Sequence, residues 1–172
     1  MDPIASDRPW LLPDEKLLKD CTINAYVASG PGGQKRHKTN VAIRITHNPT
    51  RVTVTATDSR SQRENKIHAI RALRHRLAVE IRHELDPITY TPPEFLTEYP
   101  QLHMNPRNPL YPELIAHVLD LLKATHWSVG SAAVLIGTST NAFTRFLHDD
   151  PPLWQMVNAK RQELGFKPLT WK

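Results

Sequence analysis

Only one cysteine, Cys21, occurs among the 172 residues, so no internal disulfide can form and no cysteine-based metal site can be assembled. It lies in an alternating apolar run, where a small buried residue is expected rather than a nucleophile. Nowhere does an apolar run approach the roughly 18 residues needed to cross a bilayer. The opening MDPIASDRPW holds two aspartates and no apolar stretch, which fits neither a secretory signal nor an Arg-rich, acid-poor transit peptide. The expectation is a soluble, cytoplasmic chain, long enough for one well-packed domain or two small ones. Glycine is scarce as well: there are six, and three of them fall in SGPGGQ, residues 29–34.

Charge is moderate in sum, +5, and uneven in placement. Residues 21–85 hold 12 basic and 4 acidic side chains, against 3 and 5 in residues 1–20 and 7 and 8 in residues 86–172. A strongly basic middle between two near-neutral ends calls for a polyanionic partner, nucleic acid being the usual one. A well-solvated helix surface would give the same count.

CTINAYVAS alternates Cys21, Ile23, Ala25 and Val27 against Thr22, Asn24 and Tyr26, a period of two that predicts a half-buried strand running into the glycine loop. VAIRITH and RVTVTAT predict a hairpin turning at Asn48-Pro49. The stretch DSRSQRENKIHAIRALRHRLAVEIRHEL then changes period. Ile67, Ile70, Leu73, Leu77 and Ile81 recur at helical spacing, with Asp58, Ser59 or Ser61 available as caps. Arg63, Lys66, Arg71, Arg74 and Arg82 are expected on the outer face. These elements make a small α+β domain over residues 17–85, a sheet with one long packed helix, preceded by an extension at 1–16.

Residues 86–111 are rich in proline, which opposes both helix and central strand and predicts an extended linker. Either it is a free tether or it lies as a strap on a domain surface through Tyr90, Phe95, Leu96 and Tyr99. Residues 112–172 read as a small all-α domain of four short helices. Pro112 suits a first helical turn, and Leu114, Ile115, Val118, Leu119 and Leu122 form an apolar stripe. Ala133, Gly137 and Phe143 have the spacing by which two helices cross closely in a helix-turn-helix. The last helix starts at a proline and stops near Gly165.

Taken alone, GGQ predicts a turn whose glycines supply positive φ. An amide at such a tip is neither acid, base nor nucleophile at neutral pH. Its surroundings are more specific: SGPGGQ is followed by TNVAIRI, by the turn THNPT and by the helix opening RSQRENK. In this combination residues 17–82 resemble the catalytic domain of class I peptide chain release factors and of the ribosome-rescue hydrolases that share it.

The resemblance implies hydrolysis of the ester joining a nascent peptide to the tRNA in the ribosomal P site. That reaction needs a placed water, stabilisation of a developing oxyanion and exclusion of competing nucleophiles, none of which demands a titratable side chain. By resemblance the catalytic residues are Gly32, Gly33 and Gln34. The glycines let the backbone approach RNA, the Gln34 N–H donates to the transition state, and its side-chain amide shapes the water site. Ser29, Gly30, Lys35, Arg36, His37, Lys38, Arg44, Arg60, Arg63 and Lys66 are the expected RNA contacts, which position without reading sequence. No metal or cofactor is implied. The implied partners are large-subunit rRNA at the peptidyl-transferase centre and P-site peptidyl-tRNA, met by a monomer. The glutamine is N5-methylated in some such proteins, which adds a protein-glutamine methyltransferase acting on Gln34. Two departures from the pattern stand out. Lys35, Arg36 and His37 stand where the family carries a small or apolar pair and an asparagine, and Arg51 stands where it carries glycine.

The chain leaves no room for the domains with which full release factors read the stop codon, so codon-independent hydrolysis on stalled ribosomes is expected. Residues 86–172, near neutral and helical in pattern, are not expected to act as the basic tail with which small rescue hydrolases probe an empty mRNA channel. The second helix of the helix-turn-helix offers Thr140, Asn141, Thr144, Arg145 and His148, then Asp149-Asp150. It leaves three roles open: docking on rRNA or a protein, DNA binding, or packing alone. Two other functions therefore stand beside the hydrolase: an inactive ribosome- or RNA-binding module, motivated by the KRH departure, and a DNA-binding regulator.

Overall fold

Strands β1 (Cys21–Tyr26), β2 (Ala42–His47) and β3 (Thr53–Ala56) form an antiparallel sheet in that order. The computed structural model describes residues 7–27 and 41–171. By internal packing the chain divides into two units, Met1–Ile81 and Arg82–Lys172. With a long helix in the first and four short ones in the second, the fold is α+β.

In the first unit β1 pairs with β2 from Cys21↔His47 to Tyr26↔Ala42, and β2 pairs with β3 from Ile43↔Ala56 to Thr46↔Thr53. The hairpin turn is closed by His47 N–H to Val52 O and Arg51 N–H to His47 O, both 2.8 Å. Arg51 takes φ 61°, so the turn forms with arginine in the left-handed conformation that glycine adopts freely. Buried His47 contacts the Thr50 hydroxyl through Nδ1 at 2.8 Å and pins the same turn.

Helix α2 (Gln62–Glu80) starts at Ser61, whose hydroxyl accepts from Glu64 N–H. It follows the short helix α1 (Asp14–Leu17) and lies on β2 and β3. Ala69, Ile70, Leu73, Leu77 and Ala78 are buried there with Ile43, Ile45 and Ala56, and each fully buried leucine contributes roughly 2 kcal/mol. Trp10 and Leu17, from the stretch expected to be a mere extension or its edge, close the core.

Three expectations fail in this unit. Coverage by α2 stops at β2, so Ile23 on the edge strand is 37 % exposed and β1 is open on both faces. Ile67 is 48 % exposed because it points off the sheet despite its helical spacing. Arg74 is no part of a solvated basic face: it donates to the Trp10 carbonyl and to Asp14 Oδ1, the latter at 2.6 Å, strapping the N-terminal segment to α2.

In the second unit α3 (Tyr111–Ala124), α4 (Val129–Ile136), α5 (Thr140–His148) and α6 (Pro151–Glu163) follow one another closely. Helix α3 carries the expected stripe, fully buried, yet it is not amphipathic in place. Every residue from Tyr111 to Leu122 is buried, including Glu113, His117 and Asp120. Arg82 and His83, and beyond them the proline-rich segment, supply partners for Asp120 and His117. Arg82 Nη1 donates to Asp120 Oδ1 at 2.7 Å and to Ala116 O at 2.8 Å, and His83 N–H donates to Asp120 Oδ1 at 2.9 Å. Tyr90 OH lies 2.5 Å from His117 Nε2, with the Phe95 ring edge-on to the same imidazole. Burial pushes the Tyr90 hydroxyl up to about 12, so it keeps its proton.

Candidate functional site

Gly32, Gly33 and Gln34, with Ser29, Gly30, Lys35, Arg36, His37 and Lys38, lie outside the described residues. The fold does show how their segment is held. It leaves β1 just beyond Tyr26 and rejoins β2 at Ala42, and these two residues are register partners. Both ends of the segment therefore emerge side by side at one end of the sheet.

A second fixture acts on the returning end. Asn65, in the first turn of α2, has 0 % exposure. Its Nδ2 donates to Val41 O at 2.7 Å and to Ser59 O at 2.9 Å, while its Oδ1 accepts from Ser59 N–H at 2.9 Å. The Ser59 hydroxyl also contacts Glu64 Oε2 and accepts from Ser61 N–H at 3.0 Å. One side-chain amide thus joins the helix start, the turn before it and the residue at which the glycine segment returns. The RSQRENK motif contained Asn65, but nothing in its spacing announced this bond, which spans 24 residues.

The four described candidates for RNA contact are all exposed, and they fall on two sides of the sheet. Arg60, Arg63 and Lys66 surround the α2 start that Asn65 locks to Val41. Arg44 stands on the face away from α2, in the row Asn24–Arg44–Thr55 beside the row Thr22–Thr46–Thr53. Its guanidinium lies over the Tyr26 ring, 5.0 Å from the centroid, an arrangement that steadies the cation by about 0.5–1 kcal/mol at an exposed site. No carboxylate occurs in the three strands. The arrangement suits phosphate contacts from both sides of the segment's base.

In the second unit α4 and α5 are joined through Gly137 at φ 78°, and Ser128 and Ser139 cap them by accepting from Ser131 N–H and Ala142 N–H. Three of the five polar side chains that α5 offered have partners within the unit. Arg145 Nη2 donates to Gln101 O at 3.2 Å. His148 stacks on Trp171 and meets Trp154 edge-on, with ring centroids 5.6 and 5.4 Å away. Thr144 turns its hydroxyl back to Thr140 O. Asp150 is buried as the cap of α6, accepting from Leu153 N–H and Tyr111 OH. With one arginine, engaged through a single Nη, and an Asp149-Asp150 end, α5 is poorly equipped for duplex phosphate. Among the described residues there is no cluster of three or more groups able to hold a metal ion, and no helix long and apolar enough to cross a membrane.

Comparison with known proteins places an RF-1 domain over residues 16–89. Over 68 residues the chain is 47 % identical to peptide chain release factor 1 of Rickettsia bellii (strain OSU 85-389), which is 40 % of this chain and 19 % of that relative. It is 50 % identical over 70 residues to peptide chain release factor 2 of Neorickettsia sennetsu, 40 % of this chain and 18 % of the relative. Against peptide chain release factor 1 of Syntrophomonas wolfei it is 52 % identical over 58 residues, 34 % and 16 % of the two chains. The chain therefore spans about a fifth of the length of the curated relatives it matches.

Proposed function

Residues 16–89 being an RF-1 domain of the class I release factor type, we propose that the protein hydrolyses peptidyl-tRNA on ribosomes, independently of a codon, and releases peptides from stalled complexes. The observation that carries this reading is the RF-1 match itself, which takes in SGPGGQ and the strands that bracket it. In this reading Gly32 and Gly33 allow close approach to RNA. The Gln34 N–H stabilises the developing negative charge, and its side-chain amide bounds the space for water. Lys35, Arg36, His37, Lys38, Arg44, Arg60, Arg63 and Lys66, with Ser29 and Gly30, meet rRNA phosphate and sugar, and affinity falls steeply with salt. The partners are the large subunit, P-site tRNA and a glutamine methyltransferase that modifies Gln34, all in the cytoplasm. The hydrolase part is 17–85, and the helices of 112–172 dock on rRNA or a protein rather than on DNA.

Gln34→Ala and Gly33→Ala test the reading directly. Each is expected to lower peptide release at least about a hundredfold, as displaced catalytic geometry does, while ribosome binding and folding stay near wild type. Release at the wild-type rate by either variant would refute the assignment. Comparing ribosomes stalled on truncated messages with ribosomes at a stop codon tests codon independence: equal or faster release from the truncated message is expected.

A further inference from the structure

Every described contact of the Asn65 carboxamide goes to backbone: two N–H donations, to Val41 O and Ser59 O, and one acceptance, from Ser59 N–H. A carboxamide is the side chain suited to this task, because it presents donors and an acceptor on one small rigid group. Aspartate would keep the acceptor and turn a charged oxygen toward two carbonyls. Alanine would leave three backbone groups to find other partners in a buried place.

What these bonds join matters more than their number. Val41 is the last residue before β2, where the glycine segment rejoins the fold, and the other end of that segment is held by the Tyr26↔Ala42 pairing. Ser59 belongs to the turn that carries Arg60 and leads into Arg63 and Lys66. The amide therefore locks the returning end of the segment and the basic start of α2 into one frame.

We propose that Asn65 is a positioning residue for peptide release: through the Val41 carbonyl it fixes the point at which the chain enters β2 relative to the basic start of α2. The proposal rests on the hydrolase reading above. It separates Asn65 from a merely structural residue, whose loss would lower the folded fraction and leave the folded protein's turnover alone.

The test uses the full chain and ribosomes stalled on a truncated message. The saturating release rate and the half-saturating concentration are measured for wild type, Asn65→Asp, Asn65→Ala and Leu73→Val, with hydrogen exchange of α2 amides reporting the folded fraction. Leu73→Val destabilises the same core without touching the amide's contacts. Both Asn65 variants are expected to lose about a hundredfold in saturating rate, the scale of a small misplacement near the reacting atoms. Their half-saturating concentration should move less than about threefold, since positioning losses fall on the chemical step. Leu73→Val should keep the wild-type rate while folded. Wild-type turnover by folded Asn65→Asp and Asn65→Ala, or an equal loss in Leu73→Val, overturns the proposal and leaves the hydrolase reading intact. Wild-type turnover by Gln34→Ala overturns both.

Discussion

The two units treat polar side chains in opposite ways. In the first, Arg44, Arg60, Arg63 and Lys66 face solvent, and among the described residues the core is apolar save for Asn65 and His47. In the second, the central helix buries Glu113, His117 and Asp120; Arg82 and His83 supply partners for Asp120, and Tyr90 of the proline-rich strap supplies one for His117. The difference separates two uses of charge. Exposed cations contribute little to their own fold and are available to a polyanion. Buried polar groups cost desolvation unless paired, so they make the position of the strap a condition for stability.

Breaking a buried pair should therefore have the largest effect on stability. Asp120→Ala strips the acceptor from Arg82 and His83 and is expected to cost about 3–5 kcal/mol. Hydrogen exchange should show the loss in α3 amides while α2 amides keep wild-type protection; a loss shared equally by both helices would erase the contrast. Desolvation of Asp120 outweighs the attraction of Arg82 and His83 and raises its pKa, so this carboxylate is costly as well as necessary.

A smaller effect sharpens the comparison from the other side. Arg51 contributes a charge to the basic unit while its backbone sits at φ 61°. Arg51→Gly should raise the stability of the first unit by about 1 kcal/mol, read as an upward shift of the denaturation midpoint. Unchanged or lower stability would mean that the arginine side chain repays its backbone strain.

The smallest effect is a pH dependence confined to the first unit. Burial lowers the pKa of His47 below the ordinary value, the charge of Asp20 opposing this more weakly. The folded form thus prefers neutral imidazole, while the unfolded chain takes up a proton as pH falls through about 6.5. Stability is full above that value and declines below it, and His47→Gln should flatten this part of the Tm–pH curve. A wild-type curve already flat between about pH 7 and 5 would contradict it.

Much of this was legible in residue order. The hairpin at Asn48-Pro49, the cap at Ser61, the helix ending near Gly165 and the close turn at Gly137 depend on neighbours within a few positions, and all occur. The RF-1 resemblance was legible too, because its motifs are contiguous. Burial was not. Ile67 has the right spacing and the wrong direction, Ile23 sits on a strand that α2 does not reach, and α3 looks amphipathic until Arg82, His83 and the strap supply partners for Asp120 and His117.

The sequence by itself determined the local elements, the unequal charge and the glycine motif, since each follows from side chains and backbone preferences a few residues apart. Only the tertiary structure decided which polar side chains face solvent and which are fasteners. Arg74 reaches Trp10 across 64 residues, Arg145 reaches Gln101 across 44, and Asn65 reaches Val41 across 24. The physical reason is that a donor takes whichever acceptor packing brings within about 3 Å, and that choice is made in space rather than along the chain.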